Sequence, residues 1–265
     1  RDRQPWKNIL GQYPALWGTT GSGGDSSFTI TDTIEIKQGT YHIRSSSFGG
    51  NLTVETQDLV VGDAVGNAGL TIGNSSAAGE SNVTFTVLGT TTVTGSASVI
   101  SVAGNSNLNH LLFEDATTST GSTYGVNIAS GVELEVKSVR SEGTIGTNVA
   151  FRGAGTLLIT GDLDDPLQPP GTNNTKTQFT GDIAVRKTGN NTQIFSRERA
   201  SNYTGRTEIS GGILAISNSR TTESALGSGS VVVEDGGTLA SAGFGTVAVG
   251  NGQSVTVKSG GSIAP

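Results

Sequence analysis

From Phe28 onward, apolar and polar residues alternate in short runs along most of the chain. Phe28 with Ile30, Ile34 with Ile36, and Tyr41 with Ile43 open the pattern. Leu52 with Val54, Leu70 with Ile72, and Val83 with Phe85 and Val87 continue it. Val126 with Ile128, Val132 with Leu134 and Val136, Leu157 with Ile159, and Ile183 with Val185 complete the series. A period of two places one set of side chains inward and the other toward water, so each run predicts a β-strand. Turn-forming pairs separate the runs: Gly49-Gly50, Gly62-Asp63, Gly73-Asn74 and Gly104-Asn105. A helical period is scarce; only 200–206 and 220–226 have room for one turn each. The pattern predicts an all-β chain.

The strands repeat. The run VVVEDGGTLA from Val231 to Ala240 returns as VTVKSGGSIA from Val255 to Ala264, and Ile209, Gly211, Gly212, Leu214 and Ala215 anticipate both. A period in the twenties marks stacked units that cannot bury an apolar face alone, and so predicts a parallel β-solenoid. Proline placement agrees with this. The six prolines stand at 5, 14, 166, 169, 170 and 265, which leaves Ala15 to Asp165 and Gly171 to Ala264 without any. Strands that hydrogen-bond on both edges cannot absorb an interior Pro without losing a ladder bond. Residues 28–265 are therefore expected to form about ten coils, a rod on the order of 50 Å long, with Gly236-Gly237 and Gly260-Gly261 at positive-φ corners. The proline cluster puts a projecting loop near 164–176. Residues 1–27 lack alternation and hold Trp6, Tyr13 and Trp17. They read either as a cap over the first coil or as a segment that docks on a neighbour.

Composition narrows the class. Gly makes up 40 of the 265 residues, charged residues only 14%, and there is neither Cys nor Met. Disulfides, thiolate metal sites and cysteine nucleophiles are thereby excluded. A net charge of −6 argues against nucleic acid as a partner, which would call for a basic face. No apolar run approaches the ~20 residues of a membrane-spanning helix.

From Tyr203 the chain resembles the autotransporter-associated β-strand repeat, also called the passenger-associated transport repeat. The resemblance rests on Tyr203-Thr204-Gly205, Thr207, Ile209, Gly212, Leu214, Leu226-Gly227 with Gly229, and Val231 with Val233 before Gly236-Gly237-Thr238-Leu239-Ala240. Phe179-Thr180-Gly181 is an earlier echo. The resemblance implies a secreted bacterial protein with a right-handed parallel β-helix, in which the repeat aids export and folding. It implies no single activity.

Candidate chemistry is sparse. Asp162, Asp164 and Asp165 form the densest acidic group. They have the composition for Ca²⁺ or for the paired carboxylates of glycoside cleavage; the alternative is a solvated turn before Pro166. Glu114 and Asp115 are adjacent, so a strand would point them to opposite faces. His42 and His110 read as surface or corner residues. Arg197, Glu198, Arg199 and Arg206 read either as a grip for an acidic glycan or as a solvated corner. No catalytic residue, cofactor site or metal site is assigned.

The expectation is an extracellular structural subunit of a bacterial surface layer or filament rather than an enzyme. Its partners would be other copies of itself, head to tail, with Trp6, Tyr13 and Trp17 of one copy meeting Val255, Val257 and Ile263 of the next. An unpaired coil edge invites another strand, and a head-to-tail contact that does not close produces a fibre. The alternatives are an adhesin-like passenger that binds surface glycans and, third, a polysaccharide-active enzyme.

Overall fold

The structure is a computed structural model. It describes residues 26–43, 51–63, 68–73, 83–95, 98–116, 124–143, 145, 149–165, 167, 174–197, 201–218, 225–242 and 253–265. Over these residues the chain winds as a parallel β-solenoid, and no helix occurs among them.

The first two coils each use a long strand that turns from the first face onto the second, then a short strand on the third. These are β1 (Ser26–Ile36) with β2 (Gly39–Ile43), and β3 (Leu52–Val61) with β4 (Ala68–Ile72). The bend in β1 falls at a register shift between Ile30 and Thr33. The next four coils give each face its own strand. They are β5 (Val83–Val87), β6 (Thr90–Thr94) and β7 (Val99–Val102); β8 (Ser106–Asn107), β9 (His110–Glu114) and β10 (Tyr124–Ile128); β11 (Glu133–Val136), β12 (Ser138–Glu142) and β13 (Val149–Gly153); and β14 (Thr156–Ile159), β15 (Asn174–Thr175) and β16 (Gln178–Phe179). The remaining coils carry two strands each: β17 (Ala184–Lys187) and β18 (Thr192–Arg197), β19 (Thr207–Ile209) and β20 (Gly212–Asn218), β21 (Val231–Val233) and β22 (Gly237–Ser241), β23 (Val255–Val257) and β24 (Ser262–Ala264).

The first face stacks as β1-β3-β5-β8-β11-β14-β17-β19-β21-β23, and the third as β2-β4-β7-β10-β13-β16. The second face is interrupted. One ladder runs β3-β6-β9-β12, and a separate one runs β15-β18-β20-β22-β24. The first face carries ten strands, one to a coil, and the third side of the last coils is reduced from a strand to a connection.

The 24-residue repeat is the register of the stack. Val231, Val232 and Val233 pair with Val255, Thr256 and Val257, and Thr238, Leu239 and Ala240 pair with Ser262, Ile263 and Ala264. The core consists of inward columns. On the first face Val136, Ile159, Lys187, Ile209, Val233 and Val257 succeed one another in register. On the third, Tyr41, Leu70, Ile100, Val126, Phe151 and Phe179 do so. Phe151 and Phe179 stack at 5.1 Å and 7°. Phe179 also meets Phe195 at 4.6 Å and Tyr203 at 5.8 Å. Burying each such side chain contributes about 1.5–3 kcal/mol, so the columns carry the fold.

Candidate functional site

The break in the second face is where charged and polar side chains gather. Strand β12 ends one ladder, and the chain leaves the corner after β14 before returning at Asn174 to begin β15. The departing residues 161–165 are tied down locally. Gly161 N–H donates to the Lys137 carbonyl at 3.0 Å, and Leu163 N–H donates to Asn190 Oδ1 at 2.7 Å. Leu167 N–H donates to Asp165 Oδ1 at 3.0 Å. A carboxylate that accepts from the amide two residues on is the turn chemistry that Asp brings to such a position.

This turn sets Asp165 against the outer side of the second face. Thr90, His110 and Ser138 succeed one another there, in register on β6, β9 and β12. His110 Nδ1 lies 3.1 Å from Ser138 Oγ. Its Nε2 lies 3.3 Å from Asp165 Oδ2, and the same oxygen is 3.3 Å from Lys137 Nζ. The His110 and Asp165 side chains are only 6% and 8% exposed, that of Lys137 43%. The His110–Asp165 approach is close but not an aligned hydrogen bond, because Nε2 has no partner of hydrogen-bond geometry.

The electrostatics reflect burial. Burial pushes the His110 imidazole below its ordinary value; Asp165 opposes this, while Lys137 and Arg140 reinforce it. For Asp165, burial pushes upward. The Leu167 amide and the His110 and Lys137 charges outweigh it and hold the carboxyl below the usual range.

The order Ser138, His110, Asp165 has the residue types of a hydrolytic triad. Ser138 is 4% exposed and His110 5%, so in this arrangement the hydroxyl cannot meet a substrate. The arrangement holds the root of the loop to the rod.

The expectation for His110 is therefore corrected: it is buried, because a residue far along the chain folds back over it. His42 lies half-buried on β2. Asp162 and Asp164 do lie in an exposed turn, whereas Asp165 is committed to Lys137, His110 and the Leu167 amide. Among the described residues no three His or acidic side chains converge in a way that could hold a metal. Glu114 is exposed at the end of β9, and Asp115 takes a turn conformation at φ 45°. Arg206 pairs with Glu208 at 3.0 Å and with Glu234 at 3.3 Å, and Glu234 in turn meets Lys258 at 2.8 Å. The Arg197 side chain, Glu198 and Arg199 lie outside the described residues, as do Trp6, Tyr13, Trp17 and the middle of the loop near 164–176.

Sequence reasoning missed Lys187. It occupies an inward column between Ile159 and Ile209 and is fully buried. Its ammonium donates to the Gly189 and Gly211 carbonyls. Burial lowers its pKa to about 8, against the opposing pull of Asp162. The signal was present: in the strand AVRK, Lys187 falls on the same parity as Val185.

Two surfaces remain. A shallow trough of about 580 Å³ crosses the coils at the start of the first face; Ser27, Asn51, Thr53, Thr84 and Asn105 line it, and no charged side chain does so among the described residues. At the far end, β23 and β24 are the last strands of their ladders. Val255 is half-buried there, and Val257 and Ile263 are 42% and 50% exposed. In comparisons with known proteins, no family profile, no curated protein and no solved structure matches the chain.

Proposed function

We propose that the chain is an extracellular structural rod of a bacterial surface layer or filament, not an enzyme, and that its copies join head to tail. One observation carries this reading. Val257 and Ile263 are in register with Val233 and Leu239, which are fully buried. The two exposed residues thus belong to the columns whose other members form the core, and one further parallel coil would bury them as their predecessors are buried. A second copy stacked head to tail would supply such a coil with every strand parallel, as would further coils of the same chain. The residues before β1, with Trp6, Tyr13 and Trp17, are the segment that would dock. The resemblance of the Tyr203–Pro265 region to a passenger repeat, together with the absence of Cys, supports an exported bacterial protein. Electron microscopy of the chain lacking residues 1–20 tests the docking role. Loss of polymer with the solenoid still folded is expected, and normal filaments would sink it.

A second reading, an adhesin-like passenger, is favoured by the uncharged trough. Its hydroxyl and amide side chains on successive coils suit a neutral, extended glycan. A glycan array on the intact protein tests this, and an array without binding counts against it.

A further inference from the structure

The contact that roots the loop joins groups of different character. Asp165 offers one carboxylate oxygen to two partners, His110 Nε2 and Lys137 Nζ, each at 3.3 Å. His110 is buried and has two neighbours with side chains in reach. Ser138 lies on one nitrogen, and Asp165 lies on the other.

We propose that the Asp165 contact with His110 and Lys137 is an acid-released latch: it holds the loop root at 162–165 against the outer side of the second face near neutral pH and frees it when His110 takes up a proton.

The placement of charge in the closed state sets the direction. A neutral imidazole is compatible with the closed arrangement: with its proton on Nε2, facing Asp165 Oδ2 at 3.3 Å, Nδ1 is left to accept from the Ser138 hydroxyl. A second proton makes the ring a buried cation. The carboxylate that could neutralise it is already shared with Lys137, and Lys137 and Arg140 repel it. Arg140 is itself paired with Glu142 at 2.9 Å. On the other side stands Thr90, which is neutral, and beyond it Asp58, whose carboxylate accepts from the Thr90 amide at 2.7 Å. Lifting the loop root restores water to the ring. The open state therefore binds the proton more tightly, and falling pH favours opening. The lowered His110 pKa has the same sign. The lowered Asp165 pKa adds a second release at lower pH, where the carboxylate itself is protonated.

Hydrogen exchange on the 265-residue chain at pH 7.5 and 5.5, corrected for intrinsic rates, reads the latch at the Leu163 and Leu167 amides. Their protection should fall roughly three- to tenfold on acidification while the amides of β17 and β19 stay protected. His110→Gln should abolish that pH dependence, and Asp165→Asn should leave the loop root unprotected at both pH values. If His110→Gln does not fold, the wild-type chain alone decides. The midpoint of lost protection must then coincide with the titration of the His110 ring tracked by NMR. Unchanged wild-type protection, the same fall in His110→Gln, or a midpoint near ~4 where carboxylates titrate would overturn the latch.

Discussion

The side-chain amide of Gln193 hydrogen-bonds both backbone groups of Val139: Val139 N–H donates to Oε1 at 3.0 Å, and Nε2 donates to the Val139 carbonyl at 2.9 Å. Gln193 lies on β18 and Val139 on β12, on either side of the interruption in the second face. Where the loop removes a strand's worth of backbone, a fully buried side-chain amide takes over the missing ladder bonds. Gln193→Leu keeps the volume but leaves a buried N–H and C=O without partners. Each unsatisfied group costs about 1–3 kcal/mol. The thermal midpoint should drop clearly, with exchange at the Val139 amide rising before that of β19.

Lys187 gives stability an alkaline dependence. Its folded pKa of about 8 lies below the ordinary 10.5. Below pH 8 both folded and unfolded states carry the proton, and the full burial penalty is present. Between about 8 and 10.5 the folded chain releases its proton first, so stability rises with pH. Tyr203 acts in the opposite direction above pH 10, since burial raises its phenol to about 12. Denaturation between pH 7.5 and 9.5 should therefore show a rise in the wild type that Lys187→Met lacks. A parallel rise in the variant would place its origin elsewhere.

Phe179 is the hub of the interior aromatic row, touching Phe151, Phe195 and Tyr203. Truncation to Ala removes all three contacts and opens a cavity, a change worth about 3–5 kcal/mol. Tyr203→Phe removes only the hydroxyl that meets Thr207 Oγ1 at 2.7 Å. It should cost about 1 kcal/mol. Chemical denaturation of the two variants should rank them in that order.

The architecture was legible where side chains repeat. Alternation, the 24-residue period and the proline-free spans all report the same parallel stack, and Val231–Val233 over β23 shows the period as register. The Gly-Gly corner was legible only in part. Gly236 takes φ 78°, and a Cβ there would make only ordinary contact, whereas a Cβ on Gly237 would meet the Ile209 carbonyl oxygen at 2.1 Å. One glycine supplies the turn and the other the close approach, a distinction set by the neighbouring coil. Gly237→Ala should accordingly destabilise by more than the ~1–2 kcal/mol of left-handed strain expected for Gly236→Ala.

The loop anchor was not legible. His110 and Ser138 share a column 28 positions apart in a region whose coils share no sequence, and Asp165 reaches them only because the chain leaves its coil. Pairings made by a departing loop have no period to betray them. Lys187 was hidden for another reason: strand parity places it inward, but a lysine's charge is ordinarily a mark of the solvent side.

Sedimentation velocity of the 265-residue chain across a range of concentrations, beside a Val257→Lys, Ile263→Lys double variant, tests end-to-end assembly most directly. We predict a concentration-dependent series of elongated species in the wild type and a monomer with unchanged circular dichroism in the variant. A wild-type chain that stays monomeric throughout, or a variant that polymerises equally well, would contradict head-to-tail assembly.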